Sequence, residues 1–137
     1  MKREKEIAST LKMVADYMEG GFLENIISMF KQDNSYYPLI GTLLGDERSR
    51  VRIGTAALVE TLKDHDSDNL LLAIPGIAKL LKDENATIRG DAAYLLGIIG
   101  HCNALPFLTE ARNDDHHLVR ETVEEAIMEI GDCSGPF

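Results

Sequence analysis

The chain has 137 residues, of which 45% are hydrophobic and 27% are charged, and its formal net charge is -9. A chain of this length can bury one core but is too short for that core and a separate catalytic module. The negative charge repels phosphate backbones and anionic membrane surfaces. We therefore expect no nucleic acid and no membrane partner, and we favour a protein or peptide with a basic or mixed surface.

Residues 1–34 are predicted to form two amphipathic helices separated by Gly20 and Gly21, because apolar residues recur at helical spacing on both sides. This segment has no motif in common with the rest of the chain. We interpret it as a degenerate helix pair that caps the open end of a stack, since terminal repeats are usually atypical. The charged residues after Met1 are unlike a secretory signal, and a cytoplasmic location is expected.

Three copies of one motif follow this segment. In each copy an aspartate stands eight residues after a proline, and an aliphatic residue followed by an arginine begins five residues after that aspartate. The copies are Pro38/Asp46/Val51-Arg52, Pro75/Asp83/Ile88-Arg89 and Pro106/Asp114/Val119-Arg120. Recurrence at intervals of 37 and 31 residues is typical of a helical solenoid.

Each copy is predicted to contain a short helix before the aspartate and a longer second helix after it. Apolar residues of the second helices fall on one face at 3.6-residue spacing, which indicates the core. The expected core positions are Val51, Thr55, Leu58, Val59 and Leu62, then Ile88, Ala92, Leu95, Leu96 and Ile99, then Val119, Val123, Ala126, Ile127 and Ile130. We expect Gly45, Gly100 and Gly131 to end helices in the left-handed conformation. The polar run at 63–69 is predicted to form a longer surface loop.

The sequence over residues 36–131, apart from the stretch around 63–72, resembles HEAT-type helical repeats of the short kind found in phycobilisome chromophore lyases. This resemblance implies an all-α fold: a right-handed α-solenoid (an ARM/HEAT-like alpha-alpha superhelix) of about four helix pairs. We expect a single HEAT-like repeat domain over residues 1–137. Its expected parts are the capping pair 1–34, the motif-bearing repeats 36–66, 70–100 and 103–131, and the tail 132–137.

The charged residues of the motif are predicted to have a structural role. They recur in phase, so stacking would align them as a ladder that ties each turn to its neighbour through charge-assisted hydrogen bonds. The predicted ladder consists of Asp46, Arg52, Asp83, Arg89, Asp114 and Arg120. The alternative, arginines that bind an acidic ligand, is weaker because each arginine comes with its own aspartate.

A grid of side chains that differ between the copies is predicted to bind a partner on the concave face. These positions lie one, five and nine residues after each arginine, away from the core stripe. They are Ile53, Ala57 and Thr61, then Gly90, Tyr94 and Ile98, then Glu121, Glu125 and Glu129. We expect Tyr94 and Ile98 to be exposed, as in a binding hot spot. The alternatives are that the N-terminal pair or a second copy of the chain covers them, and that the glutamates are a solvated helix face.

No metal site, cofactor or catalytic group is expected. His101 and Cys102 precede a short helix and His116 and His117 follow it, so about 15 Å of helix separates them, whereas zinc ligands converge on one point. HEAT repeats also occur in deoxyhypusine hydroxylases, whose iron is held by His-Glu dipeptides on paired repeats, and no His-Glu dipeptide occurs in this sequence. Cys102 and Cys133 are expected to be free thiols of a reducing compartment.

The sequence favours a non-catalytic protein-protein interaction scaffold or adaptor that binds its partner on the concave face, and not an enzyme. Solenoids of helix pairs present extended surfaces, and the sequence has no phosphate-binding loop or nucleophile motif. The alternative function, a subunit or relative of a phycobilin lyase, follows from the resemblance alone. Self-association through the grid is a further possibility.

Overall fold

The computed structural model describes residues 2–133, and within this range it contains helices and turns but no strand. The all-α solenoid expected from the sequence is confirmed. The α-helices of the described range are α1 (Lys2–Glu19), α2 (Leu23–Gln32), α3 (Ile40–Leu44), α4 (Ser49–Asp66), α5 (Ile74–Lys79), α6 (Ala86–Ile99), α7 (Leu105–Glu110) and α8 (His117–Ile130). The right-handed sense and the single-domain division stay predictions, and residues 134–137 of the predicted tail lie outside the described residues.

Successive helices pack in pairs, and each pair packs on the next. The pairs are α1 with α2, α3 with α4, α5 with α6, and α7 with α8. Short 3-10 segments lead into α3, α5 and α7, at Asn34–Leu39, Ser67–Ala73 and Cys102–Ala104. Pro75 and Pro106 stand in the first turn of α5 and α7, where a missing N–H costs no intrahelical hydrogen bond.

The core runs along the stack as the apolar stripes predict. Every expected core position of α4 and α6 is buried. In α8, Val119, Val123 and Ala126 are buried, whereas Ile127 and Ile130 are only half-buried because no further helix pair follows α8 in the described residues. The stripe spacing therefore located the interior of the stack within the described residues.

Two local predictions are wrong. Gly45 has φ -83°, so it does not adopt the left-handed conformation, which is found at Gly100 (φ 71°, ψ 20°). Gly131 has a positive φ of 79° but an extended ψ of -159°. The run 63–69 is not a loop, because α4 continues to Asp66 and a 3-10 helix follows directly. Lys63 lies in the last turns of α4, where its Nζ donates to the carbonyl oxygen of Ile99 at 2.8 Å and stabilises the extension.

The first two motif-bearing pairs meet through their short helices. A Cβ atom added to Gly41 of α3 would overlap the backbone carbonyl group of Gly76 in α5, so the two helices approach each other through bare backbone. The longer helices of the same pairs, α4 and α6, diverge and leave a cleft of about 510 Å³ between them.

The next junction has the opposite geometry. Here the long helices approach closely, since a Cβ on Gly97 of α6 would lie 3.0 Å from the Cα and Cβ of Ala126 in α8. The short helices α5 and α7 diverge and leave a cleft of about 570 Å³ on the other side of the stack. At both junctions, helices that approach closely through small residues lie opposite the open cleft. Among the described helices, none is long and apolar enough to span a bilayer.

Candidate functional site

The predicted grid residues lie on the second-helix face, the surface formed by α4, α6 and α8. Two large apolar residues of the grid are exposed: Ile53 at 70% and Tyr94 at 47%. The row Glu121, Glu125 and Glu129 of α8 is also exposed. Ala57 is half-buried. Ile98 is half-buried and packs against the core, so the expectation that it is exposed is wrong.

The α4–α6 cleft opens on this face and combines apolar walls with carboxylates. Its lining residues are Ser49, Arg52, Ile53, Ala56, Ala57, Glu60, Thr87, Asp91, Tyr94 and Leu95. Four apolar side chains supply much of the wall, and the polar groups come from two acids, one arginine, one phenol and two hydroxyl side chains. Such a mixture, apolar walls with a few converging polar groups, is the usual composition of a ligand site.

Tyr94 crosses the cleft from α6 to α4. Its hydroxyl donates a hydrogen bond to Oε1 of Glu60 at 3.2 Å. The negative charge of Glu60 raises the pKa of Tyr94, and partial burial and the hydrogen bond add to this shift. The raised pKa therefore favours the neutral form of the phenol.

Asp91 is, with Glu60, one of two acidic residues of the cleft that the sequence prediction missed. Burial raises the pKa of its carboxyl group, and the positive charge of Arg52 opposes the shift only in part. Within residues 2–133 no hydrogen bond to this carboxylate contributes to its ionisation. The guanidinium of Arg52 donates instead through Nη1 to the carbonyl oxygens of Asp46 and Glu47, at 2.8 and 2.9 Å. The carboxylate of Asp91 is thus half-buried with its hydrogen-bonding capacity unused.

A second, smaller cleft of about 340 Å³ lies between α6 and α8 and shares three residues with the first. Thr87, Asp91 and Tyr94 line both clefts, so they form the ridge between them. Glu125 of the predicted glutamate row stands on the far wall. At Gly90 no atom lies within 4 Å of the place where a Cβ would be, so the floor beside this ridge is open. The structure therefore brings Tyr94 and Glu125 to one site and adds Asp91 and Glu60 to it.

The arginines of the predicted ladder share one structural role. In all three repeats, Nη1 of the arginine donates to the backbone carbonyl of the motif aspartate, at distances of 2.8, 2.9 and 2.7 Å. The aspartate side chain accepts from the backbone N–H two residues later, at 2.8, 2.9 and 2.9 Å. The residues involved are Arg52 with Asp46, Arg89 with Asp83, and Arg120 with Asp114. Each pair closes its own inter-helix turn.

One rung joins neighbouring repeats. Arg89 donates to Asp114 through Nε (2.8 Å) and Nη2 (3.1 Å), and Nη2 also reaches Asp115 at 3.0 Å. Burial is the largest influence and raises the pKa of Asp114, but the hydrogen bonds from Arg89 and from the backbone N–H of His116, together with the charge of Arg89, hold the pKa of Asp114 below its usual value. The corresponding rung is absent at the first junction: Arg52 makes no hydrogen bond to the carboxylate of Asp83, and its charge faces the cleft and Asp91.

The donor groups do not fit an iron site. Every His, Cys, Asp and Glu of the chain lies within residues 2–133, and no three of them there are placed to hold a metal ion. Asp114 is bound by Arg89, and Nδ1 of His116 accepts from the backbone N–H of Leu118 at 3.2 Å, as the cap of α8. The rings of His116 and His117 stack with centroids 5.3 Å apart.

Cys102 and Cys133 form a disulfide, with their Cα atoms 5.8 Å apart. The expectation of two free thiols is therefore wrong. The two residues are 31 positions apart, which is also the spacing between the last two copies of the motif. Residues one period apart lie side by side in a solenoid, and this signal in the sequence could have identified the pair.

A stack of helix pairs closed by repeated arginine–aspartate turns, with clefts between its second helices, defines a helical-repeat solenoid. The family model described as HEAT repeats matches residues 38–128. The chain therefore belongs to the HEAT repeat family.

Several curated relatives are named deoxyhypusine hydroxylase. The protein of Aspergillus clavatus is 38% identical over 65 residues, which are 46% of this chain and 19% of that protein. The protein of Neurospora crassa is 36% identical over 81 residues, 58% of this chain and 25% of that protein. The protein of Neosartorya fischeri is 33% identical over 81 residues, 58% of this chain and 24% of that protein. The chain thus matches a quarter or less of the length of these relatives.

These relatives correct the functional prediction. They are named as enzymes, so the expectation of a non-catalytic scaffold or adaptor, and of a protein that is not an enzyme, is wrong. The alternative of a phycobilin lyase is wrong for the same reason, because these relatives are hydroxylases. The HEAT repeat itself was identified correctly from the sequence, and its assignment to the phycobilisome-lyase type was not.

Proposed function

We propose that the chain serves an enzyme of the deoxyhypusine hydroxylase kind, in which it binds the amine-bearing side chain of a basic protein or peptide substrate. The binding site is the α4–α6 cleft and the ridge of Asp91 and Tyr94. The names of the relatives support the class of substrate. The carboxylates of the second-helix face support a positive charge on that substrate.

One observation carries this proposal: the half-buried carboxylate of Asp91, which has no hydrogen-bond donor within residues 2–133. A buried carboxylate without a donor costs free energy, and a cationic ligand that donates to it recovers that cost. The ring of Tyr94 beside it offers a face for a cation, and Glu60 supplies a second carboxylate at the other wall. The exposed row of Glu121, Glu125 and Glu129 extends the negative surface toward α8.

The proposal assigns substrate binding to these residues and no redox step. An iron ion bound to such an enzyme would supply oxidation chemistry, but the donor groups of this chain do not fit it. What these residues do is hold a cation, exclude water from the apolar walls at Ile53 and Ala57, and orient the side chain along the cleft.

The experiment is calorimetric titration of the chain with a synthetic peptide that carries deoxyhypusine. A matched peptide with norleucine at that position removes the charge of the side chain. We expect Asp91→Asn to weaken binding of the deoxyhypusine peptide by about tenfold or more, because a charge-assisted hydrogen bond contributes about 1.5–3 kcal/mol. Asp68→Asn makes the same chemical change at an exposed position outside the cleft, and it should leave binding unchanged.

Equal binding of the two peptides would contradict the proposal, as would equal affinity of the Asp91→Asn and Asp68→Asn variants. Ionic strength gives an independent reading, since binding by opposite charges weakens as salt is added. Affinity that does not change between low and physiological salt would also contradict an electrostatic site.

We also propose a cytoplasmic location, on narrower grounds than the sequence suggested. The argument from free thiols no longer applies, because Cys102 and Cys133 are bonded. In the cytoplasm of most organisms a disulfide is usually transient, either catalytic or redox-sensing. Fractionation of cells that express the tagged chain tests the location directly.

A further inference from the structure

The disulfide encloses the last repeat. Cys102 precedes α7 and Cys133 follows α8, so the covalent loop contains both helices of this repeat and the turn between them. Cys102 is exposed and Cys133 is half-buried. A reductant can therefore reach the bond from solvent without unfolding the protein.

Within residues 2–133, the last described repeat is joined to the stack mainly through one helix, α8. On one side, α7 is separated from α5 by the cleft of about 570 Å³, which the exposed ion pair between Lys82 and Glu110 (3.0 Å) spans. On the outer side Met128 is 78% exposed. The repeat is held to the stack at α6, through the close contact of Gly97 with Ala126 and the hydrogen bonds of Arg89.

Because α7 is separated from α5 by this cleft, its position depends on its contacts with α8 and on constraints inside the repeat. In repeat proteins each unit is stabilised by its own contacts and by its interfaces with adjacent units, and units of lower local stability open more often. A crosslink that closes a loop of this length lowers the entropy of the opened repeat and so makes opening rarer. The loop that the disulfide closes contains the helices α7 and α8, so the loss of entropy is confined to this repeat.

We propose that the Cys102–Cys133 disulfide is a redox switch that controls the order of the last repeat. In the oxidised protein α8 is held against α6 and completes the α6–α8 cleft. A dithiol reductant donates two electrons and two protons, the S–S bond breaks to give two thiols, and the reductant becomes its own disulfide. The last repeat then opens more often, and the wall that carries Glu125 is lost in the opened state.

The experiment is hydrogen-deuterium exchange read by mass spectrometry, on the full chain with and without dithiothreitol. Titration of free thiols establishes the oxidised and reduced states before exchange begins. We expect reduction to lower the protection of amides in α7 and α8 by about 100-fold, with little change in α3 to α6. Protection should return when the reductant is removed and the disulfide re-forms.

The double variant Cys102→Ser, Cys133→Ser is the matched control. It should show the exchange pattern of the reduced protein and should not respond to dithiothreitol. Unchanged protection of α8 on reduction would overturn the proposal, and so would loss of protection along the whole chain, which would make the bond a global constraint. Two titratable thiols in protein purified without reductant would overturn it as well. None of these readings requires the substrate peptide, so the switch and the proposed function are tested separately.

Discussion

At the scale of single residues, the hydroxyl of Tyr37 makes a hydrogen bond that stabilises the interior of the first motif-bearing repeat. Tyr37 is fully buried, its ring stacks on Phe30, and its hydroxyl donates to Oδ2 of Asp66 at 2.9 Å. Asp66 also accepts from the side-chain amide of Asn69 at 3.0 Å. This hydrogen bond fixes the last turn of α4 to the segment that leads into α3. Burial, followed by the bond to Asp66, raises the pKa of Tyr37 to about 12.

Tyr37→Phe is expected to lower the free energy of unfolding by about 1–2 kcal/mol at neutral pH, because a buried hydrogen bond to a charged group is lost while the ring remains. The raised pKa also predicts a pH dependence. An unfolded tyrosine loses its proton near pH 10 and the folded one near pH 12, so stability falls as pH rises through this window, by about 2–3 kcal/mol. Below pH 10 both states keep the proton and this residue adds no pH dependence.

Denaturant unfolding at a series of pH values measures both effects. Tyr17→Phe removes a hydroxyl from a tyrosine that is 45% exposed, and it should retain both the stability and the alkaline slope. The Tyr37→Phe protein should show a shallower slope between pH 10 and 12. Equal slopes in the two variants would mean that the hydroxyl of Tyr37 does not carry the effect.

Single residues were the hardest features to predict from the sequence. The predicted grid lies one, five and nine residues after each arginine, whereas Asp91 lies two residues after Arg89. Its counterparts in the other repeats are Gly54 and Thr122, so no repetition drew attention to it. The importance of Asp91 comes from its burial between two clefts, which depends on how far apart the second helices lie. A sequence pattern contains no such distance.

At the scale of elements, helices with strong apolar stripes were predicted well, and elements fixed by tertiary contacts were not. The core positions of α4 and α6 follow from 3.6-residue spacing because burial on one face requires it. The extension of α4 through polar residues depends on Lys63 reaching Ile99 of the next repeat. Contacts of this kind join residues that are distant in the chain, and local propensity does not report them.

The contact of α3 with α5 gives a prediction at this scale. Gly41→Ala is expected to destabilise the protein by about 3 kcal/mol, because the new Cβ would overlap the carbonyl group of Gly76 and backbone must move apart. Gly90→Ala is the matched control, since its Cβ would meet no atom within 4 Å. In a helix interior this change should stabilise by up to about 1 kcal/mol.

Chemical denaturation of both variants measures the difference. Moving α3 away from α5 should pivot the junction and narrow the α4–α6 cleft on the other side. Gly41→Ala should therefore weaken binding of the deoxyhypusine peptide as well as lower the stability of the protein. A Gly41→Ala protein as stable as the parent would show that these helices can separate at no cost, and the close approach would then not determine the cleft.

At the scale of the whole molecule, the stack carries an excess of negative charge. The formal net charge is -9. A bidentate pair between repeats, Arg89 with Asp114, is mostly buried, with side-chain exposures of 12% and 8%, and salt screens such a pair weakly. The exposed glutamate row of α8 is screened strongly, and Glu129 also stands near the negative end of the helix dipole.

Added salt is therefore expected to stabilise the fold. Between about 10 mM and 150 mM sodium chloride the Debye length falls from about 30 Å to about 8 Å, which weakens the repulsion among carboxylates more than it weakens the buried pair. We expect the midpoint of thermal unfolding, followed by circular dichroism at 222 nm, to rise by about 2–5 °C.

Replacement of Glu121, Glu125 and Glu129 by glutamine tests the cause of this rise. The three changes take the formal charge from -9 to -6, so the variant should unfold at a higher temperature than the parent in low salt and respond less to added salt. A midpoint that falls with salt in the parent would mean that exposed ion pairs outweigh net repulsion. The acidic face would then be a stabilising surface, and its availability to a cationic substrate would have to be reconsidered, because the same carboxylates cannot be both satisfied within the fold and free to bind a ligand.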